Sequence, residues 1–133
     1  MKISAKTDYA CRALLELSLH WPNSEPLAIH VISKHQNIPV KFLIQILLNL
    51  KQLGLVQSIR GKKGGYILGK APREITVCQI IQNFSEGNLN HSSVFEPIWQ
   101  EAEKMYFDFL KGKNFEIIAQ KQKNLGEVPM YMI

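Results

Sequence analysis

The residues best suited to chemistry form one short segment, Arg60-Gly61-Lys62-Lys63-Gly64-Gly65-Tyr66. It lies between two runs of strand-forming residues, 55–59 and 66–68. Glycines allow a tight turn between strands, and cations at the tip of a hairpin bind phosphate. A cationic hairpin of this kind fits a narrow groove between phosphates. The segment therefore predicts the wing of a winged helix-turn-helix that binds DNA; the alternative is a cationic surface hairpin without a partner.

The elements that would position this hairpin are helices. Apolar residues at helical spacing predict helices at 7–20, capped by Ser4 or Thr7, and at 29–35. A third helix starts near Pro39, after a turn at 37–39, and Gly54 ends it. Its predicted buried stripe is Leu43, Ile46, Leu47, Leu50 and Leu53. Two short helices joined by a tight turn are typical of a helix-turn-helix.

The opposite face of the third helix mixes polar and apolar side chains. Its polar members are Lys41, Gln45, Asn49 and Gln52, and Ile44 and Leu48 lie among them. Exposed on a DNA-binding face, Ile44 and Leu48 either contact thymine methyl groups or are ordinary surface residues. Both interpretations stay open at this point.

The second half of the chain predicts three further helices. Thr76 and Gln79 form a capping box before a helix with an apolar face at Val77, Ile80, Ile81 and Phe84. A polar loop, 85–93, follows. The next helix, ending at Gly112, carries a large apolar stripe: Phe95, Ile98, Trp99, Ala102, Met105, Tyr106 and Phe109. This stripe packs either on its own domain or, the interpretation we favour, against a second copy of the chain. The last helix spans 114–123, with Phe115, Ile118 and Ala119 inward.

Charge divides the 133-residue chain. Residues 1–73 hold 11 Lys and Arg against 3 acidic residues, a net charge of +8; residues 74–133 hold 5 against 8, a net charge of −3. Such asymmetry indicates a polyanionic partner for the first part. No run is long enough to span a membrane and no signal-peptide core occurs, so we expect a cytoplasmic protein. Catalytic groupings such as Ser/His/Asp, paired acids, a P-loop or HExxH are lacking, so we expect no enzyme.

Cys11 and Cys78 are far apart in the sequence and have no CxxC neighbour. Each is either a buried structural thiol or a redox-active one. Arg12 and the nearby helix start could lower the pKa of Cys11, and a first-turn position could do so for Cys78. The four histidines show no metal-ligand spacing.

Six ordered segments resemble the Rrf-two family of bacterial winged-helix transcription regulators. They are Met1-Lys2-Ile3-Ser4, Tyr9-Ala10-Cys11-Arg12-Ala13-Leu14, Phe42-Leu43-Ile44-Gln45-Ile46-Leu47, Gly54-Leu55-Val56-Gln57-Ser58-Ile59-Arg60-Gly61, Gly64-Gly65-Tyr66-Ile67-Leu68 and Glu74-Ile75-Thr76-Val77. The family includes the iron–sulfur cluster regulator, the nitric-oxide-sensitive repressor and the cysteine-metabolism repressor. Each segment alone is weakly specific, but the ordered set over residues 1–84 is specific. The rest of the chain matches the family in pattern only.

The resemblance implies a mainly α fold with a small β-hairpin. Residues 1–84 would form the winged helix-turn-helix, 85–93 a loop, and 94–133 the dimerisation helices and tail. It implies a homodimer that binds a pseudo-palindromic operator, and we expect this dimer to act as a repressor. The family's DNA-contacting positions on the third helix fall on Pro39, Lys41, Phe42 and Gln45. In the wing, we expect Arg60 to enter the minor groove. We expect Gly61, Gly64 and Gly65 to let the backbone approach phosphates closely, and Lys62 and Lys63 to add salt-dependent affinity that does not depend on sequence.

Several relatives hold an iron–sulfur cluster with three cysteines in the loop before the long helix. Loop 85–93 has no cysteine here, so we expect no cofactor. Cluster ligation by other residue types is known in the family, and Asp8 and His91 are the residues of this chain that could contribute to it. The family often has serine or threonine at the positions of Ala28 and Pro39 and glutamate at that of Ile44, so the operator sequence is not implied. An alternative function is a winged-helix module that a partner protein, rather than a cofactor, regulates.

Overall fold

The computed structural model describes residues 3–22, 25–84 and 94–126. Within them, α-helices precede and follow one two-stranded antiparallel hairpin. In chain order the elements are α1 (Ala5–Leu19), α2 (Ile29–Gln36), α3 (Val40–Gln52), β1 (Val56–Ile59), β2 (Gly65–Leu68), a 3₁₀ turn (Pro72–Glu74), α4 (Val77–Phe84), α5 (Glu96–Lys111) and α6 (Phe115–Gly126). The mainly α fold with a small hairpin is as predicted. The predicted loop 85–93 and the last residues, 127–133, lie outside the described residues.

One hydrophobic core lies where α1 crosses α2, α3 and α4. Its central side chains are Ala10, Ala13, Leu14, Ile32, Leu43, Leu47, Leu50, Ile75 and Ile80, and all are fully buried. Ser4 caps α1, since its hydroxyl accepts a hydrogen bond of 3.1 Å from the Thr7 amide. The helix therefore begins two residues earlier than predicted.

The far end of α3 corrects one prediction. Gly54 follows the helix with a φ of +78°, a conformation that glycine adopts without steric cost. Leu53, expected in the buried stripe, instead caps the helix and is 37% exposed. The chain leaves the helical path at this residue, so helical periodicity no longer determines which way its side chain points.

The hairpin is fastened to the start of α2. β1 and β2 pair from Val56–Leu68 to Ile59–Gly65. The segment before α2 adds a bridge to the outer edge of β2: the Leu27 amide donates to the Tyr66 carbonyl at 2.9 Å, and the Tyr66 amide donates to the Leu27 carbonyl at 2.8 Å. The sequence did not predict this contact, because a single bridging residue has no periodicity.

The predicted capping box starts α4. The Thr76 amide donates to the Gln79 side chain at 3.0 Å, and the Gln79 amide donates to the Thr76 hydroxyl at 3.3 Å. This reciprocal pair confirms the prediction. Ile80, Ile81 and Phe84 are buried as expected, whereas Val77 is half-buried.

The chain returns to the core after α5. The Val77 amide donates to the Lys113 carbonyl at 3.0 Å, and the Phe115 amide donates to the Ile75 carbonyl at 3.0 Å. Phe115 is 1% exposed and belongs to the core, and α6 packs against α1. By packing, α6 thus joins the N-terminal module, whereas α5 has no buried residue at all.

Candidate nucleic-acid interface

Helix α3 separates its side chains onto two faces. Four apolar side chains are at most 2% exposed and fix the helix in the core: Leu43, Ile46, Leu47 and Leu50. The opposite face presents Lys41, Ile44, Gln45, Leu48 and Gln52 to solvent. Because one face is packed tightly, the other has a fixed orientation on the module.

The turn between α2 and α3 is held by its own hydrogen bonds. Asn37 adopts the left-handed conformation, with a φ of 54°. Ile38 is 1% exposed; its amide donates to the Ser33 carbonyl at 3.0 Å, and the Ser33 hydroxyl donates back to its carbonyl. Pro39 stands just before the first helical residue and provides no side-chain cap. The first amides of α3 are therefore not satisfied by a capping side chain, a state that favours a bound anion.

Lys41 and Phe42 lie at this end of α3. The Phe42 ring stacks on Tyr9 of α1, with 6.3 Å between ring centroids, and the Lys41 ammonium lies 5.2 Å from the Phe42 ring centre. Arg12 in turn covers the Tyr9 ring at 4.9 Å. Phe42 is still 48% exposed, so it both braces α3 against α1 and remains accessible.

Gln45 also has a defined orientation. Its amide nitrogen donates to the Asn49 side chain, one turn along α3, at 3.0 Å. The Gln45 carbonyl oxygen and second N–H are not used in this bond. One donor and one acceptor are what the adenine edge requires in the major groove.

The wing loop spans residues 60–64, between β1 and β2. Its three cationic residues, Arg60, Lys62 and Lys63, are exposed, and none forms an ion pair with any residue that the structure describes. Gly61 has a φ of +115°, and its carbonyl accepts the Gly64 amide at 2.9 Å. The loop thus combines a fixed turn with unneutralised charge.

The wing glycines have different roles. A side chain on Gly65, whose φ is +156°, would overlap the Leu27 carbonyl, and one on Gly64 would overlap the Ile59 carbonyl. A side chain on Gly61 would meet nothing within 4 Å. Gly64 and Gly65 are therefore required by the fold of the wing itself. At Gly61 the space is open, so the close approach to phosphate expected of this residue stays a prediction, as it does for Gly64 and Gly65.

Sequence reasoning missed a buried charge between α1 and α2. Glu16 is 4% exposed. One of its carboxylate oxygens accepts from His35 at 2.9 Å and from His20 at 3.2 Å, and the other accepts from Gln36 at 3.0 Å. Burial alone would raise the pKa of Glu16, but the bonds from His35 and Gln36, the charge of His35 and the bond from His20 together lower it. We call these four residues the Glu16 cluster.

The sequence does contain a sign of the Glu16 cluster. Glu16 lies three residues after Ala13 and directly before Leu17, within the stripe that faces the core, and His20 is one turn further on. An acidic residue on a buried stripe needs a partner. The partners on α2 could not be assigned without knowing how the two helices cross.

The two cysteines lie in different environments on α1 and α4. Burial, followed by the charge of Asp8, raises the pKa of the Cys11 thiol to about 12. Arg12, which was expected to lower it, binds Asp8 at 2.7 Å and the Gln36 carbonyl at 2.7 Å instead. The expectation of a low pKa at Cys11 is therefore wrong. Cys78 is 3% exposed within α4.

A thiolate-held iron–sulfur cluster does not fit the donor set. The chain has two cysteines, and they lie on α1 and α4. Among the residues with described positions, no group of three or more His, Cys, Asp or Glu side chains is arranged to hold a metal ion. His91 is outside them. Cluster ligation depends mainly on cysteine thiolates, so the described residues do not supply the usual ligand set.

Helix α5 exposes its apolar stripe. Ile98 is 57% exposed, Trp99 47%, Met105 67% and Phe109 65%. Trp99 stacks on Phe95, with 6.0 Å between ring centroids. Tyr106 is half-buried and contacts Phe107 edge-on. Large apolar side chains collected on one exposed face mark an interaction surface.

Across residues 3–22, 25–84 and 94–126, no helix is long and apolar enough to cross a membrane.

Comparisons with known proteins agree with this geometry. The family model described as "Rrf2: Iron-dependent Transcriptional regulator", which is the Rrf-two family, matches residues 3–121. A protein of Neisseria meningitidis serogroup A, provisionally named an HTH-type transcriptional regulator, is 30% identical over 96% of this chain and 93% of its own length. The HTH-type transcriptional regulator IscR of Pectobacterium carotovorum is 38% identical over 65% of this chain, but the match spans only 52% of that protein.

Solved structures show the same fold over nearly the whole chain. The IscR of T. potens superposes with a TM-score of 0.84 at 28% identity and covers 99% of this chain and 96% of its own. CymR, the global cysteine regulator of B. subtilis, superposes with a TM-score of 0.78 at 28% identity and covers 91% and 98%. The arrangement of helix-turn-helix, wing and C-terminal helices is therefore the one these regulators share.

Proposed function

The chain belongs to the Rrf2 family of DNA-binding transcriptional regulators, and we propose that it acts as a homodimer on a pseudo-palindromic operator. One observation carries the proposal: the outer face of α3 and the cationic wing loop are both exposed on a module of strongly positive charge. A regulator needs one surface for base edges and one for phosphates. These two elements provide them.

Helix α3 is proposed to enter the major groove by its first turns. A groove of about 12 Å admits one α-helix. Lys41 and the uncapped amides behind Pro39 would bind phosphate, and Gln45 would bind an adenine edge. The stack of Phe42 on Tyr9 supports this assignment, because it holds the start of α3 rigidly against α1.

The wing is proposed to contact the adjacent minor groove. Arg60 is exposed, cationic and without an ion pair among the described residues, as an arginine inserted in a narrow A·T groove must be. Lys62 and Lys63 would add affinity for phosphate that does not depend on sequence. Gly61 would allow the backbone to approach the DNA closely.

The exposed stripe on α5 is proposed as the dimer interface. Its residues are Phe95, Ile98, Trp99, Ala102, Met105, Tyr106 and Phe109. The exposure of Ile98, Met105 and Phe109 within one chain supports burial against a second copy, because water contact with that much apolar surface is unfavourable. Residues 1–84 would then be the DNA-binding module and 94–133 the dimerisation part, although α6 packs on the module. A dimer bound to its operator would block access to that stretch of DNA, so we propose that the protein is a repressor.

A second candidate function is a module that a partner protein regulates. Ile44 and Leu48, 55% and 46% exposed on the outer face of α3, favour it, because apolar side chains there also suit a protein surface. The two functions differ in their dependence on salt.

Titration of a duplex at increasing salt tests the proposal. If Lys41, Lys62 and Lys63 of both subunits bind phosphate and Arg60 neutralises phosphate charge from within the minor groove, the logarithm of affinity should fall with that of salt concentration with a slope of about −7. The duplex is selected from a random pool, and a scrambled duplex is the control. A slope near zero, or equal affinity for both duplexes, would contradict the proposal.

A further inference from the structure

The outer face of α3 has an unusual chemistry for a helix that reads DNA. Helix α3 contains no Arg, Asp, Glu or His, and its cationic residues are Lys41 and Lys51. Guanine is read mainly by arginine or lysine, and cytosine by acidic side chains. Lys41 lies against the Phe42 ring, at the first turn of the helix, and Lys51 lies in the last turn. The central turns therefore lack the groups that recognise G·C pairs.

Two parallel rows of side chains occupy these central turns instead. Ile44 and Leu48, one turn apart, form an apolar row. Gln45 and Asn49, also one turn apart, form an amide row joined by the 3.0 Å hydrogen bond. In the major groove an A·T pair shows the thymine methyl group next to the hydrogen-bonding edge of adenine. An apolar row beside an amide row matches that pattern.

We infer that Ile44 and Leu48 are specificity-determining residues that contact thymine methyl groups, so that α3 selects A·T pairs. This inference rests on the proposed function, since it requires α3 to enter the major groove. Charge favours DNA over a protein at this face: Lys41 and Lys51 flank it, the described part of α3 has no acidic group, and residues 1–73 carry a net +8. A duplex supplies both the anionic flanks and the apolar methyl groups.

Removing methyl groups one at a time from the DNA tests the inference. The operator is first selected from a random duplex pool with the full-length chain. Each thymine of one half-site is then replaced by deoxyuridine, which lacks only the C5 methyl group. Affinities are measured for the wild type, Ile44→Ala, Leu48→Ala and Ile117→Ala. Ile117, on α6, is a matched control because it is 56% exposed, against 55% for Ile44.

The expected result is a coupling between one protein residue and one methyl group. The wild type and Ile117→Ala should lose about fourfold in affinity at particular deoxyuridine positions, the factor for one buried methyl group. Ile44→Ala or Leu48→Ala should bind the unmodified operator more weakly than the wild type does. The same variant should lose no further affinity when thymine is replaced by deoxyuridine at those positions. Selected half-sites should have A·T pairs there. All these side chains are exposed, so the variants should fold; circular dichroism verifies it.

Two other results would overturn the inference, and they differ in what they mean for the proposed function. Selective, salt-dependent binding with no effect of deoxyuridine, or with equal losses in all variants, would refute methyl recognition and leave the proposed function standing. Absence of selective binding to any duplex would refute both, and would favour the partner-protein function.

Discussion

Glu16 links α1 to α2 through a buried charge. Its buried carboxylate accepts hydrogen bonds from His35 and Gln36 of α2 and from His20 of α1. Arg12 adds a second link, from α1 to the last carbonyl of α2. Helix α2 supports α3 in the helix-turn-helix. The orientation of the proposed DNA-binding face therefore depends on the charge of Glu16, which is buried and is not part of that face.

We expect Glu16→Gln to lower the free energy of unfolding by about 1.5–3 kcal/mol at neutral pH, the range for hydrogen bonds to a charged group. The pKa of Glu16 is below its ordinary 4.5 in the folded chain. Its stabilisation is therefore fully present above pH 4.5 and is lost as the pH falls through the lower, folded pKa. Denaturant unfolding at fixed protein concentration, repeated from pH 7 downward, measures the difference.

Glu116→Gln is the control for this prediction, because Glu116 is exposed on α6. It should change stability little at any pH. A difference between wild type and Glu16→Gln that stays constant as the pH falls below 4.5 would show that the charge of Glu16 is not what stabilises the cluster.

Arg60 is the wing residue with the most specific proposed role. We expect Arg60→Ala to weaken operator binding at least about tenfold, because the minor groove would lose its buried cation. A gel-shift titration measures the affinity, and light scattering verifies that the quaternary state is unchanged. Arg73→Ala removes another exposed arginine, from the 3₁₀ turn, and should bind nearly as the wild type does. Equal losses in both variants would mean that only total charge matters.

At the scale of elements, the start, the end and the buried face of a helix can be predicted from neighbouring residues in the sequence. The way in which two elements cross cannot. The capping box at Thr76, the stop at Gly54 and the buried stripe Leu43–Leu50 depend on residues close in the chain, and the structure has them as predicted. The Leu27–Tyr66 bridge, the docking of Phe115 on Ile75 and the partners of Glu16 join residues far apart. No periodicity encodes such pairs, so they could not be predicted from the residues alone.

The Leu27–Tyr66 bridge requires a glycine at position 65, because the Leu27 carbonyl lies where a side chain would be. We expect Gly65→Ala to separate β2 from the segment before α2, since the new methyl group would overlap the Leu27 carbonyl. The stability loss should be at least about 1–3 kcal/mol, the cost of holding a non-glycine residue in a glycine-only region of backbone conformation, and the overlap adds to it. Faster hydrogen exchange at the Leu27 and Tyr66 amides would identify the site.

Gly112→Ala is the matched control, because Gly112 has a φ of −80° and room for a side chain. It should leave both the stability and the exchange at Leu27 and Tyr66 nearly unchanged. Unaltered exchange in Gly65→Ala would mean that the bridge tolerates the methyl group.

At the scale of the whole molecule, α5 differs from every other described helix. The others each bury side chains, whereas α5 buries none and exposes its aromatic stripe. Both α4 and α6, its neighbours in the chain, are anchored in the core through Phe84 and Phe115. Helix α5 is therefore tied to the module at its C-terminal end while its apolar face remains available.

We expect Trp99→Glu to produce monomers, because a charge in the middle of an apolar interface would be buried without a partner. Size-exclusion chromatography with light scattering measures the mass against the 15.2 kDa chain. Ile117→Glu places the same charge at an exposed isoleucine of α6 and should leave the mass unchanged. A Trp99→Glu protein of unchanged mass would remove α5 as the dimer interface.

The hydrogen bonds between Leu27 and Tyr66 also have a consequence for the DNA. They join the wing to the residue that leads directly into α2, so the spacing between wing and helix-turn-helix is set by backbone geometry and cannot stretch freely. One base pair inserted between the two grooves that α3 and the wing are proposed to contact would move these grooves apart by about 3.4 Å and turn one relative to the other. The number of base pairs between the segment proposed for α3 and the segment proposed for the wing should therefore be constant among operator half-sites. Insertion of a single base pair between these segments should abolish recognition even when the sequence of both segments is retained.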